Sequence, residues 1–214
     1  MLPYLVNLQT TVWRTSGARY NASRRLKRRE FFSTMSLALF SAIIIIIAVV
    51  QRIYATTIQE HIGLDNLLTA LSICMGIFIL VFTLMEWGSA SGVKSYILHK
   101  NAEDLNTLQS KIEYIIAKNK TAQYVLVTWD ETESLRLEYE KIKGECTENH
   151  IPTDDYFFLT SKRHSPEFKY LNLTDLNAAL TWLQWIISSV SYYIVFWALT
   201  IYIIWYAFSK ILSV

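Results

Sequence analysis

Charge is scarce in this chain and unevenly spread. Asp, Glu, Lys and Arg make up 18% of the 214 residues, against about 25% in an average soluble domain. Three stretches hold no charged residue at all: Phe31 to Val50, Asn66 to Met85 and a longer block from Leu176 to Ser209. None contains a proline. Each reaches the roughly 20 apolar residues that a helical bilayer crossing needs. Three such helices in one chain of this size leave too little polar surface for a soluble fold. The missing charge also argues against proton- or ion-coupled transport, which keeps a carboxylate or histidine at membrane depth. A passive pore is not excluded.

Cysteine is almost absent. Cys74 lies in the second apolar stretch and Cys146 in a polar region, so no disulfide framework or paired-cysteine metal site is available. Cys146 and His150 stand four apart but lack a second pair of ligands, and a solvated loop accounts for them. The remaining histidines, His61, His99 and His164, are scattered. No phosphate-binding glycine loop, HExxH or nucleophile elbow occurs. The expectation is a protein that is not an enzyme, with no cofactor and no metal.

What charge there is sets an orientation. Arg14, Arg19, Arg24, Arg25, Lys27, Arg28 and Arg29 precede the first apolar stretch, against Glu30 alone. The segment between the first two stretches offers Arg52 against Glu60 and Asp65. The positive-inside rule places the N-terminus in the cytoplasm. The expected organisation is a basic N-terminal helix over 1–30, a transmembrane helix over 31–50, an outer hairpin loop over 51–65 and a second transmembrane helix over 66–85. A cytoplasmic helical insert over 86–180, a third transmembrane helix over 181–208 and a short outer tail over 209–214 complete it. The long first apolar run, with no small-residue cleavage site after it, reads as a retained span rather than an export signal.

Within the basic segment Ala18, Ala22 and Leu26 stand four apart, with Arg24, Arg25, Arg28 and Arg29 on the other side. Two readings fit. One is an amphipathic helix on the anionic inner leaflet, carried by Arg19, Arg24, Arg25, Lys27, Arg28 and Arg29. The other is a plain stop to translocation.

In the insert, Leu98, Leu105, Leu108, Ile112 and Ile115 follow a coiled-coil-like spacing, with Asn101 at one seam position. That stripe must be buried against another helix of the same chain or against a second copy. A second helical run, about Asp130 to Cys146, makes an antiparallel pair the economical arrangement, and Glu148 to Pro166 reads as a loop or short helix. The insert holds eleven Lys and Arg against fifteen Asp and Glu between Glu86 and Leu180, so no direct DNA binding is expected. At the membrane edge, GSASG (Gly88 to Gly92) is either a flexible exit or part of a continuing helix.

Trp185 and Trp205, twenty residues apart, match a hydrocarbon core of about 30 Å flanked by aromatic belts. Tyr192, Tyr193 and Trp197 fall between them, packing on neighbouring helices or lining a pore. Ser33, Ser36 and Ser41 in the first span, with Ser72 and Gly76 as a small-xxx-small step in the second, are candidates for helix association or a pore, as are Leu105, Leu108, Ile112 and Ile115 of the insert.

The basic helix ARYNASRRLKRREFFSTMSLALFSA, the tight two-span hairpin and the helix YILHKNAEDLNTLQSKIEY together resemble the SLATT family. These are bacterial two-span effector proteins linked to second-messenger-synthesising nucleotidyltransferases, nucleotide sensors or reverse transcriptases in anti-phage defence. The resemblance covers Thr15 to about Pro166, and the third apolar stretch fits the branch with an additional C-terminal segment. It implies an effector that permeabilises or disrupts the inner membrane in abortive infection, triggered by a nucleotide signal or by a nucleotidyltransferase or reverse-transcriptase partner. The expected whole is an all-α, homo-oligomeric membrane protein whose first partner is the lipid bilayer. The alternative is a scaffold without a pore that recruits a cytoplasmic partner through the insert.

Overall fold

The computed structural model describes residues 1–59, 62–121 and 127–212, and among them no strand occurs. Helix α1 runs unbroken over Leu2–Ile53. It is followed by α2 (Ala55–Gln59), α3 (Ile62–Ser89), α4 (Ser91–Thr121), α5 (Trp129–Glu145), α6 (Pro152–Ser161), a 3-10 turn at Lys169–Leu171 and α7 (Asp175–Leu212). The chain is an all-α membrane protein: three helical stretches are long and apolar enough to cross a bilayer, and the three charge-free runs fall inside α1, α3 and α7. The segment expected to be a hairpin loop is largely helical, through α2 and the start of α3. Glu60 and His61 of that segment, and Ser213 and Val214 of the expected tail, lie outside the described residues.

The chain divides into two compact units, Met1–Lys27 with Gly92–Ser189 and Arg28–Ser91 with Val190–Val214. In the first, Leu5, Leu8 and Val12 of α1 form a stripe at helical spacing. They pack with Leu105, Leu108, Ile112 and Ile116 of α4 and with Leu135 and Tyr139 of α5. The seam read in the insert is thus filled by the chain's own N-terminal segment and α5. Its last fully seated position is Ile116 rather than Ile115, which is only partly buried, because a straight helix of period 3.6 drifts away from a 3.5-residue repeat. Burying each of these side chains contributes about 1.5 to 3 kcal/mol.

Asn101 fixes the register of that packing. Its Nδ2 donates to the Ile142 carbonyl of α5 at 2.6 Å, and its Oδ1 accepts from the Arg19 guanidinium of α1. Helix α5 begins on a capping box: Thr128 Oγ1 accepts from the Glu131 N–H at 3.2 Å, and the Thr128 N–H donates to the Glu131 carboxylate at 2.9 Å. A second apolar cluster of the same unit, Phe158, Leu159 and Phe168, packs with Trp13.

The second unit is built on rings. Phe40 of α1 stacks on Phe82 of α3 and on Trp197 of α7, at centroid distances of 5.9 and 5.4 Å. Phe82 also meets Tyr193 at 5.7 Å and Phe196 at 4.5 Å. Tyr193 and Trp197 therefore belong to the core of this unit, while Tyr192 faces outward. The outer faces carry Ile45, Ile46, Ile73, Ile77, Leu80 and Ile194 among many exposed apolar side chains. Water does not tolerate so continuous an apolar surface on a monomer, whereas lipid does.

The GSASG stretch neither continues a helix smoothly nor bends at a glycine. Helix α3 ends at Ser89, α4 begins at Ser91, and the break is Ala90, with φ at 47°. No glycine among the described residues takes positive φ. A left-handed alanine carries a penalty of about 1 kcal/mol that glycine avoids. Ala90→Gly is therefore expected to raise stability by up to about 1 kcal/mol, read as a higher thermal midpoint in detergent. At Gly17 the opposite holds, because an added Cβ would collide with the Phe158 ring. Gly17→Ala should destabilise by about 1 to 3 kcal/mol, and Phe158→Leu in the same chain should recover part of the loss.

Candidate functional site

The most heavily hydrogen-bonded charge in the first unit is the side chain of Asp154, which is fully buried. Pro152 opens α6 at a position that needs no N–H, and Asp154 and Asp155 follow in the first turn, where negative charge is favoured. Asp154 Oδ1 accepts from Arg25 Nε at 3.0 Å and from the Trp185 indole N–H at 3.0 Å. Its Oδ2 accepts from Arg25 Nη2 at 3.1 Å and from the Ile151 N–H at 3.1 Å. Asn21 adds a bond to the Asp154 carbonyl at 3.1 Å. One carboxylate thus joins α1, α6 and α7. Phe157 of α6 stacks on the Trp185 ring at 4.5 Å and seals the junction.

Asp155 makes a parallel clamp nearer the start of α1. It accepts from Arg14 Nε at 2.7 Å and Nη2 at 2.6 Å, and this bidentate pair raises the guanidinium pKa above its ordinary value. The pair is open to solvent on the arginine side, so it contributes little to stability.

The basic segment is therefore not a uniform lipid-facing strip. Arg19 is buried against Asn101 and Arg25 is committed to Asp154, while Arg24 and Lys27 are exposed. Ala18 and Ala22, read as the membrane-facing stripe, are fully buried within the chain. The hydroxyls beside them tie α1 to α4, Ser16 donating to the Ala102 carbonyl at 2.9 Å and Ser95 to that of Ser23 at 2.9 Å. Arg28 and Arg29 belong to the second unit and are half-buried; burial lowers the Arg28 pKa.

Of the residues expected to associate helices, Ser36 is buried. Its hydroxyl donates to the Phe32 carbonyl at 2.7 Å and accepts from the Trp197 indole at 3.0 Å. Ser33 is buried with no hydrogen-bond partner for its hydroxyl, and Ser41 bonds back to Leu37 at 2.8 Å. Ser72 is half-buried, while Gly76 is exposed with nothing within 4 Å of where a Cβ would stand. Leu105, Leu108 and Ile112 are inside the first unit's core and Ile115 lies at its edge. Cys146 donates to the Glu148 carbonyl at 3.1 Å, and among the described residues no group of three His, Cys, Asp or Glu side chains gathers to hold a metal.

The family model for the SMODS and SLOG-associating 2TM effector domain, family 5, matches residues 2–207. The chain belongs to this SLATT family. As a SLATT protein it is a membrane effector of defence systems, of a family associated with SMODS and SLOG. No curated protein and no solved structure matches it. The SLATT match takes in the Arg25–Asp154–Trp185 junction and reaches through most of α7.

Removing one partner of a buried ion pair leaves an uncompensated charge. Asp154→Ala should destabilise by about 3 to 5 kcal/mol, measured by unfolding in detergent. Adding Arg25→Met should return a large part of that loss, and a purely additive double variant would count against the pairing.

Proposed function

We propose that this SLATT protein is an abortive-infection effector of the bacterial inner membrane that assembles into homo-oligomers and permeabilises the membrane when a cytoplasmic signal reaches its first unit. The basic segment before the first span supports an N-terminus in the cytoplasm. That orientation puts Arg24 and Lys27 within reach of anionic headgroups. The signal would come from a nucleotide or from a nucleotidyltransferase or reverse-transcriptase partner.

One observation carries the reading. The interior of the second unit is filled by Phe40, Phe82, Tyr193, Phe196 and Trp197. A conducting path therefore has to run between copies rather than through one. The seam of the insert is used inside the chain, so it offers no free stripe for assembly. Helix α3 does offer one: Gly76 lies open on a face that also carries Ile73, Ile77 and Leu80. In lipid, where no hydrophobic effect drives helices together, such a small-residue position lets two backbones approach closely.

Gly76→Leu tests the assembly, because the single chain has room for the larger side chain. The wild-type complex in detergent should exceed the 24.9 kDa of one copy, and Gly76→Leu should shift it toward a single copy while leaving the thermal midpoint unchanged. Cells expressing the wild type with its trigger should depolarise, and those expressing Gly76→Leu should keep their potential. Intact potential and normal growth after activation of the wild type would sink the effector mechanism.

A further inference from the structure

Opposite its Leu5, Leu8 and Val12 stripe, α1 carries a polar face. Asn7, Thr10, Thr11, Arg14 and Thr15 recur at helical spacing and line one wall of a cleft of about 420 Å³. His150 and Asp155, on either side of the start of α6, and Phe168 and Tyr170 around the 3-10 turn form the rest. All of these residues belong to the first unit. The space is of the size that holds a small organic ligand.

The hydrogen bonds already made determine what the cleft has left to offer. Thr10, Thr11 and Thr15 each donate their hydroxyl proton to the carbonyl four residues back, at 3.0, 2.9 and 2.9 Å. A hydroxyl has one proton and two lone pairs, so Thr10 and Thr11 present acceptor capacity, while the Thr15 oxygen already has the Tyr139 hydroxyl at 3.1 Å. The Arg14 charge is cancelled inside the cleft by Asp155. Burial holds the His150 imidazole below its ordinary pKa, so it is neutral at pH 7. Tyr170 presents a largely exposed ring, and Phe168 is buried beside it.

These features select by chemistry. Polyphosphates require an excess of cationic donors, and here Asp155 opposes them. An apolar ligand would strip water from the threonine face without replacing its hydrogen bonds. A hydroxylated sugar ring satisfies both demands: its O–H groups donate to the threonine oxygens and the Asp155 carboxylate, and its C–H face lies on the exposed Tyr170 ring. We propose that this cleft binds an uncharged compound carrying a sugar ring, a nucleoside or a monosaccharide. Its floor, His150 to Asp155, includes the turn that holds Asp154. Treating the cleft as the receptor of the triggering signal rests on the effector reading above, whereas binding itself does not.

The test is titration calorimetry on the full chain in detergent. Adenosine, uridine, ribose and glucose serve as neutral probes and ATP as the charged one. At least one neutral probe should bind, adenosine more tightly than ATP. Asn7→Ala and Thr11→Val, both on the solvent side of α1, should each weaken that binding about fivefold to tenfold with the thermal midpoint unchanged. Binding of nucleosides but not of free sugars assigns the ligand to the nucleosides, and binding of ribose or glucose alone assigns it to the monosaccharides. The proposal is overturned if no neutral probe binds, if ATP binds more tightly than adenosine, or if the two substitutions leave binding unchanged. A vesicle-leakage assay run with the same probe keeps the two readings apart, since binding without leakage removes the cleft as receptor of the trigger and leaves the site standing, while the effector mechanism stands or falls on the depolarisation test.

Discussion

A carboxylate removed from water must be matched by donors, and at Asp154 four are supplied from three separate parts of the chain. Two come from the Arg25 guanidinium, one from the Trp185 indole and one from the Ile151 N–H. Moving any one of α1, α6 or α7 strands a buried charge, which is among the most expensive faults a fold can contain. An apolar cluster of the same volume would hold these helices together as firmly but would accept several registers. The charge admits one. Asp155, its neighbour, makes an equally well-formed pair with Arg14 at the surface, where water screens both partners. Two adjacent carboxylates with the same type of partner thus differ in consequence because only one of them is dry.

The spans were legible because a bilayer imposes an unambiguous demand on length and charge, and the helices of the insert were legible from their apolar spacing. The N-terminal segment was not. Leu5, Leu8 and Val12 offer only three apolar positions, and the spacing of Ala18 and Ala22 fits a stripe that meets lipid. Periodicity reports which face is buried and says nothing about what buries it. The Asp154 junction was hidden for a different reason. Two acids after a proline read locally as the favourable first turn of a helix, and Trp185 reads as a member of an interfacial belt. Their partnership depends on Arg25, more than a hundred residues away along the chain. The one local clue was the spacing of Arg25, which stands seven residues after Ala18 and so shares its helix face instead of lying opposite with Arg24.

The two units are held by different forces. In the first, water drives Leu105, Leu108 and Ile112 against α1 and α5, and the burial energy is available from the hydrophobic effect. In the second, hydrocarbon outside is as apolar as hydrocarbon inside, so that drive is missing. What remains is close packing of aromatic rings and a few polar bonds that lipid cannot replace, such as the Trp197 indole on Ser36. Each ring pair adds about 0.5 to 1.5 kcal/mol beyond simple burial. The absence of charge in the spans, which first marked them as membrane helices, therefore also leaves them with modest mutual attraction.

That contrast bears on how a signal could act. Helices α1 and α7 each contribute residues to both units, α1 through Arg25 and Phe40 and α7 through Trp185 and Tyr193. The covalent backbone carries the connection, so no additional contact is required for a change at Asp154 to reach residues farther along the same helices. Under the effector reading, an event in the first unit has to overcome a matched buried ion pair, and what it then acts on is a ring-packed bundle with no hydrophobic drive of its own. Within that reading, a strong restraint in one unit and a weakly driven bundle in the other suit a protein that stays silent until triggered, since a ligand shifts such an equilibrium only by its differential affinity for the two states.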